Sequence, residues 1–192
     1  MNPTLDLELV LQSILKGTLE TVNASAGMIF LKDQVTGCLA WGASLGLSEA
    51  FITEFQEQYL QPGEGLTGLI AQTGESVYIP VDSSHDPRVA RPVVEEEGLN
   101  SFFGIPIYAA DKIVAVMNIL THPPAILNEY DTLLCTAIGS HVGLAISNAQ
   151  LFAKQQAEEA LRETEEGYRM LVEGTKDLVA RVDNEGKFVF KS

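Results

Sequence analysis

Apolar residues recur at steps of three and four through Leu7, Val10, Leu11, Ile14, Leu15 and Leu19, which predicts an amphipathic helix over residues 4–23 with Thr4 as its N-cap. The pattern then shortens. "SAGMIFLKD" and "TGCLAWGASL" read as two strands joined by the "KDQVTG" turn, an antiparallel hairpin. From Ser48, a good N-cap, "SEAFITEFQEQYL" places Phe51, Ile52, Phe55 and Tyr59 at helical spacing before Pro62 and Gly63 stop it. A short helix "LTGLIAQT" closes at Gly74, "SVYIPV" reads as a strand, and "DSSHDPRVARP" as a polar loop. "PVVEEEGL" is a brief helical piece leading to two strong strands, "SFFGIPIYA" and "KIVAVMNIL", joined by a tight "ADK" turn. The sum is a sheet of about five strands flanked by helices.

Asn128 is placed to cap a second long helix that runs to about Gly174, apolar on a broad face up to Phe152 and strongly polar beyond it. Its length of ~45 residues far exceeds the usual globular helix of about 11 to 12. Leu133, Ala137, Leu144, Leu151, Leu161, Tyr168 and Val172 fit alternating steps of three and four, with Ser140, Ser147, Lys154, Glu158 and Glu165 interrupting the seam. This predicts a weak coiled coil leaving a globular domain. Finally, "DLVARVDNEGKFVFKS" reads as two strands around a "DNEG" turn. Two strands cannot bury a face alone, so this end reads as the opening of a further domain and the chain as a fragment.

Composition narrows the class. Of 192 residues, 46% are hydrophobic, enough for one full core and part of another unit. The 12 Lys and Arg stand against 26 Asp and Glu, a formal charge of -14, which argues against nucleic acid or an anionic membrane surface as partner. Cys38 and Cys135 form no CxxC or Cys/His spacing and read as two reduced, buried thiols, not a disulfide framework. The N-terminus carries acids where a signal peptide needs a basic region, and the apolar runs, such as "IVAVMNIL", fall below the roughly 20 residues of a spanning helix. A soluble, cytoplasmic chain is expected.

"GEGLTG", residues 63–68, matches GxGxxG, with Asp82 nineteen residues after Gly63. In a dinucleotide fold that motif follows a buried strand and opens a full crossover helix; here a helix ending in proline precedes it and about two turns of helix follow. Glu64 would also place negative charge where phosphates should sit. The glycines therefore read as a tight loop that packs a short helix against a sheet edge.

Taken together, "ASAGMIFLKDQVTGCLAWGAS", "PGEGLTGLIAQTGESVYIPVDSSHDPR", "SFFGIPIYAADKIVAVMNIL" and "ISNAQLF" resemble the GAF domain over residues 5–153. The resemblance implies an α+β fold with a central antiparallel sheet of about six strands, helices on one side that often dimerise, and a small-molecule pocket on the other. "EEGYRMLVEGTKDLVARVDNEGKFVF" looks like the start of a PAS domain. The implied organisation is a GAF sensor at 1–153, a helical linker at 154–167 and a truncated PAS start at 168–192, similar to the input half of bacterial sensor histidine kinases and diguanylate cyclases.

Within that resemblance, Trp41, Phe55, Tyr78 and Phe103, with the polar Asp82, His85, Arg88 and Asn118, fall on segments that resemble pocket walls and lid, a mixture suited to a small polar or aromatic ligand. The alternative is that the aromatics fill the core. Arg88 and Arg91 are the only Lys or Arg between Lys32 and Lys112, so they either offer counter-charge to an anionic group or pair with Glu95, Glu96 or Glu97. The Asn-Lys, Phe and Asp-Glu positions of the cyclic-nucleotide subclass are met only at Asn118 and Asp131; Ile119, Leu127 and Thr132 depart from it. Neither cysteine fits bilin attachment. His85, His122 and His141 lack a paired ligand spacing for haem or iron and read as a lid, an exposed and a core or dimer-interface histidine. No catalytic or metal site is expected, and the cofactor is left open. The expected function is a regulatory, small-molecule-sensing segment that forms a homodimer through its terminal helices at Leu133, Ala137, Leu144, Leu151 and Leu161. The alternatives are a ligand-free dimerisation module and an enzyme like the free methionine sulfoxide reductases.

Overall fold

The computed structural model describes residues 3–56, 58–89, 91–176, 181–182 and 188–189. Residues 1–151 form one compact unit and residues 152–192 a second.

The first unit opens with α1, Pro3–Val22, whose Leu11, Leu15, Leu19 and Val22 are buried. The helix begins at Pro3, so Thr4 lies inside the first turn and is not the cap; proline suits that position because its missing N–H would have no intrahelical partner there. Strands β1, Ala26–Lys32, and β2, Leu39–Leu45, form the expected antiparallel hairpin, with a bulge between Ile29 and Phe30. Helix α2, Glu49–Gln56, is capped by the Ser48 hydroxyl, which accepts the Phe51 N–H at 3.2 Å. It stops before Tyr59, which is exposed, because Leu60 instead exchanges two backbone hydrogen bonds with Leu39. Helix α3, Gly65–Thr73, closes at Gly74, whose left-handed backbone returns its N–H to the Ile70 carbonyl. After β3, Val77–Ile79, come a single 3-10 turn at Ser83–His85 and α4, Pro92–Glu96. Strands β4, Ser101–Ala109, and β5, Lys112–Thr121, complete the sheet.

Among the described residues the sheet has five strands in the order β2-β1-β5-β4-β3, every neighbour antiparallel. Of the about six strands that the resemblance implies, five are found among the described residues; the segment beside β2 contributes the Leu39–Leu60 bridge before Pro62 and Gly63 turn the chain away.

Strand alternation sorts the apolar residues onto two faces. Ile29, Phe103, Ile105, Ile107, Met117 and Ile119 face a layer made by α1 and the start of α5, Glu129–Lys176. Helix α5 begins with reciprocal capping: the Asn128 side chain accepts the N–H groups of Tyr130 and Asp131, and Asp131 accepts the Asn128 N–H. It lies close to the sheet because Gly143 faces the Tyr108 carbonyl, with which any Cβ would collide. Cys135, Val142 and Ile146 are buried there, whereas Leu133, Ala137, Leu144 and Leu151 are exposed. On the opposite face, Met28, Phe30, Phe102, Val116 and Leu120 pack beneath α2, α3 and the segment around α4.

An 18-residue window of α5 reaches a mean hydropathy of 1.2, so by length and composition it passes as a membrane span, contrary to the expectation from the shorter apolar runs. Part of that apolar content packs in the core through Cys135, Val142 and Ile146.

In the second unit the α5 residues from Phe152 to Leu171 are largely exposed, Leu161 included. Strands β6, Arg181–Val182, and β7, Phe188–Val189, pair antiparallel, as the "DNEG" hairpin pattern predicts. The remaining positions that suggest a PAS start, among them Asp177, Asp183 and Gly186, lie outside the described residues.

Candidate functional site

The lid-side face of the sheet is covered by the segment 82–98, and a cavity of about 60 Å³ lies beneath it. A buried water needs roughly 10–15 Å³ on this scale, so the space suits a cluster of a few waters or one small molecule. Most of the wall is apolar, with Met28, Phe51, Phe55, Leu66, Phe102 and Leu120 contributing. Its polar groups are Glu64, Thr67, Ser83 and Arg91.

Arg91 holds this wall together. It precedes Pro92 at the start of α4, and its side chain is only 11% exposed. Nη2 donates to Glu64 Oε1 at 2.8 Å, and Nη1 donates to the Glu54 carbonyl at 3.1 Å with the Glu54 carboxylate 3.7 Å away. The guanidinium also sits 4.6 Å from the centre of the Phe55 ring. One side chain thus ties the lid to α2 and to the GEGLTG loop.

That loop satisfies itself. Glu64 accepts the Gln61 N–H at 2.9 Å through its other oxygen, and the Gly63 N–H donates to the Gly68 carbonyl. Partial burial favours the neutral Glu64 acid, but the bonds from Gln61 and Arg91 outweigh it and hold the carboxyl below its ordinary value. At Gly68 a Cβ would meet the Gln61 carbonyl, so the third motif glycine serves close packing of loop on helix. The glycines thus form the tight loop read from the sequence, but α3 packs over the interior strands β4 and β5, with Ile70 against Gly104 and Thr67 on Asn118, and not against a sheet edge.

Two buried polar atoms have no hydrogen-bond partner among the described residues: Ser83 Oγ and Asn118 Oδ1. Asn118 lies in mid β5 and donates through Nδ2 to Thr67 Oγ1 at 2.9 Å, fixing the first turn of α3. Ser83 follows Asp82, whose left-handed backbone (φ 58°) turns the chain into the lid, and the Ser83 N–H is anchored on the Asn100 carbonyl.

The residues expected in a pocket are dispersed. Phe55 lines the cavity, and Trp41 stacks on Phe55 from outside it at 6.4 Å between ring centres. Tyr78 and Phe103 point to the helix side, where their rings meet edge to face and the Tyr78 hydroxyl donates to the Leu127 carbonyl; alternation along β3 and β4 sends them there. Asp82 and His85 pair on the outer surface of the lid at 2.5 Å, with Glu95 3.5 Å from the other ring nitrogen. The Asp82 hydrogen bond and charge, with a smaller contribution from Glu95, raise the His85 pKa against slight desolvation. Arg88 forms a two-point pair with Asp86 at 2.8 Å, which lowers the carboxyl and raises the guanidinium. Neither arginine pairs with Glu95, Glu96 or Glu97, because Asp86 lies two residues from Arg88 and Glu64 faces Arg91 across the loop. Glu97 instead accepts the N–H and hydroxyl of Ser48.

The remaining chemistry is quiet. Burial, with the Asp131 charge, pushes the Cys135 thiol up to about 12; Cys38, expected to be buried, is only half-buried at the start of the β2 side of the hairpin, its Sγ 3.3 Å from the Gln61 side-chain oxygen. His122 is anchored by Ser25, and His141 is exposed on α5 instead of lying in the core. Among the described residues no group of three His, Cys, Asp or Glu is placed to hold a metal.

Ser83, Glu64 and Thr67 were not expected to line the site. Only a local signal existed for them: an Asp-Ser turn in the lid and a carboxylate inside a glycine loop.

The architecture is shared with known proteins. The GAF domain family profile matches residues 4–147. The GAF domain of a phosphoenolpyruvate-protein phosphotransferase from Coxiella burnetii is 25% identical, with a TM-score of 0.66 over 77% of this chain and 86% of that one. The equivalent Acinetobacter domain is also 25% identical, with a TM-score of 0.63 over 76% and 84%. A domain of a putative two-component sensor histidine kinase from Sinorhizobium meliloti shares the fold at 17% identity and a TM-score of 0.60, over 78% and 97%. No curated protein matches the sequence significantly. The profile match spans well over half of the sequence, and the chain belongs to the GAF domain family, a sensing or regulatory module of signalling proteins.

Proposed function

We propose that this chain is the small-molecule-sensing input segment of a cytoplasmic signalling protein of the sensor histidine kinase type. The observation that carries the reading is the cavity closed by the Arg91-latched lid, on the face of the sheet opposite the terminal helices. A ligand that binds the open and closed lid with different affinity shifts segment 82–98 between them, since only differential binding moves such an equilibrium. The output runs through α5. Its exposed Leu133, Ala137, Leu144 and Leu151 are an apolar stripe whose partner is a second copy, and Leu161 continues the same sequence pattern in the second unit. Residues 168–192 are then the opening of a PAS domain that receives the signal.

A ligand-free dimerisation module, as in a diguanylate cyclase, phosphodiesterase or transcriptional regulator, is favoured by one observation: Arg91 already has protein partners. A reductase reading has less support, because the Cys135 thiol is buried and its pKa lies far above neutrality. Native mass spectrometry of the freshly purified chain, against its denatured mass, separates the readings. A dimer carrying a discrete extra mass supports sensing, a bare dimer supports the module, and a monomer at micromolar concentration sinks transmission through paired helices.

A further inference from the structure

Resting on the reading of the cavity as the sensing site, we infer that its ligand is small and uncharged, an apolar body bearing one hydroxyl or carbonyl group directed at Ser83, and not an anion.

The charge argument starts from Arg91, the one cationic side chain in the cavity wall. Its two terminal nitrogens already serve Glu64 and the Glu54 carbonyl, and its face lies over Phe55. The Glu64 carboxylate at 2.8 Å already neutralises the guanidinium and the Glu54 carboxylate lies 3.7 Å away, so a carboxylate, nitrate or phosphate brought to the remaining N–H groups meets negative charge in a largely apolar wall. Glu64 is held in its ionised form by the Gln61 N–H as well, so the counter-ion does not leave cheaply. A cation fares no better beside Arg91. An uncharged molecule disturbs none of these bonds and buries its surface against Met28, Phe51, Leu66 and Phe102.

The hydrogen-bond argument starts from Ser83. It is 3% exposed, lines the cavity, and its hydroxyl has no partner among the described residues. An unpaired buried hydroxyl is costly, and one group of either donor or acceptor character in the cavity relieves it, since a hydroxyl does both. Size sets the last limit. A cavity of about 60 Å³ takes on the order of four to six non-hydrogen atoms at one per water-sized space.

The test uses the whole chain and one series of isosteric probes: 1-butanol and butanone, their charged relatives butyrate and butylamine, nitrate, and 1-chlorobutane. Trp41, the single tryptophan, reports through its stacking on Phe55, and protein NMR shifts check the response. Saturable binding of 1-butanol and butanone, at least tenfold tighter than butyrate, nitrate or butylamine, is expected. Ser83→Ala weakens 1-butanol about threefold to tenfold and leaves 1-chlorobutane unchanged. Leu66→Phe, or Val94→Phe should the first not fold, abolishes both responses.

Butyrate or nitrate binding as tightly as the alcohol overturns the charge class while leaving the sensing site intact. Alcohol binding that is indifferent to Ser83→Ala overturns the hydrogen-bond assignment, with a trapped water as the group that Ser83 serves. Silence from every probe, or responses that survive a filled cavity, overturns both this inference and the sensing reading beneath it.

Discussion

On the helix side of the sheet, Ile105, Ile107, Met117 and Ile119 are enclosed by apolar side chains of α1 and α5, and the helix backbone comes so near that Gly143 has no room for a Cβ. On the lid side, equally buried residues such as Phe51 and Leu120 border a cavity, an ion pair and an unpaired hydroxyl. The strands supply both faces with the same kinds of residue. The difference arises from the covering: regular helices with apolar stripes on one side, and on the other a chain of short elements whose backbone and polar groups need partners of their own. One face stabilises the domain, and the other leaves room for something to bind.

Truncation tests that contrast most directly. Ile107→Ala on the helix side removes a fully buried side chain where neighbours cannot collapse, and is expected to cost about 2–5 kcal/mol in urea unfolding. Leu66→Ala, on a wall that already borders empty space, is expected to cost about half as much. Equal losses would mean that the cavity is filled in solution.

Arg91→Met comes next. The methionine keeps an apolar stem over Phe55 but leaves Glu64 with only the Gln61 N–H, at an expected cost of about 1–2 kcal/mol, discounted because Glu64 is 29% exposed. The pH dependence carries a sign. Glu64 has a folded value below 4.5, so its pairing contributes stability that is present above 4.5 and lost as pH falls through the lowered value. Arg91→Met should flatten that acid limb of the stability profile, and an unchanged limb would show that Arg91 is not what holds the carboxyl down. Smaller still is Ser83→Ala in the empty protein. Removing an unpaired buried hydroxyl should leave stability unchanged or raise it by up to about 1 kcal/mol, whereas a loss would reveal a partner for Ser83.

The helix-side face was largely legible in the sequence because period and burial agree there: Leu11, Leu15 and Leu19 recur along α1, and the capping group at Asn128 stands before α5. The lid side was legible only in outline. Trp41, Phe55, Tyr78 and Phe103 share a composition that suits a pocket, but the two-residue alternation of β3 and β4 sends Tyr78 and Phe103 to the far face. Residue type marks aromatics, and register decides which face receives them. Arg88 and Arg91 also look alike in sequence, three residues apart. The fold separates them, because Asp86 is near enough to hold Arg88 locally, while Arg91, fixed before Pro92, reaches Glu64 across the loop.

The smallest expected effect lies on the outside of the lid. His85 is exposed, between Asp82 at 2.5 Å and Glu95 at 3.5 Å, with Asp86 and Arg91 lining the same shallow depression. The bond to Asp82 raises its pKa above 6.5, so whatever His85 contributes to lid stability is fully present below 6.5 and lost as pH rises through the higher folded value. Solvent screens both partners, so the change in unfolding midpoint should be barely measurable, whereas an NMR titration of the ring reads the pair directly. Asp82→Asn should return the midpoint towards 6.5, with Glu95→Gln moving it less. The reverse ranking would tie the lid histidine to α4 instead of to the turn that enters the lid.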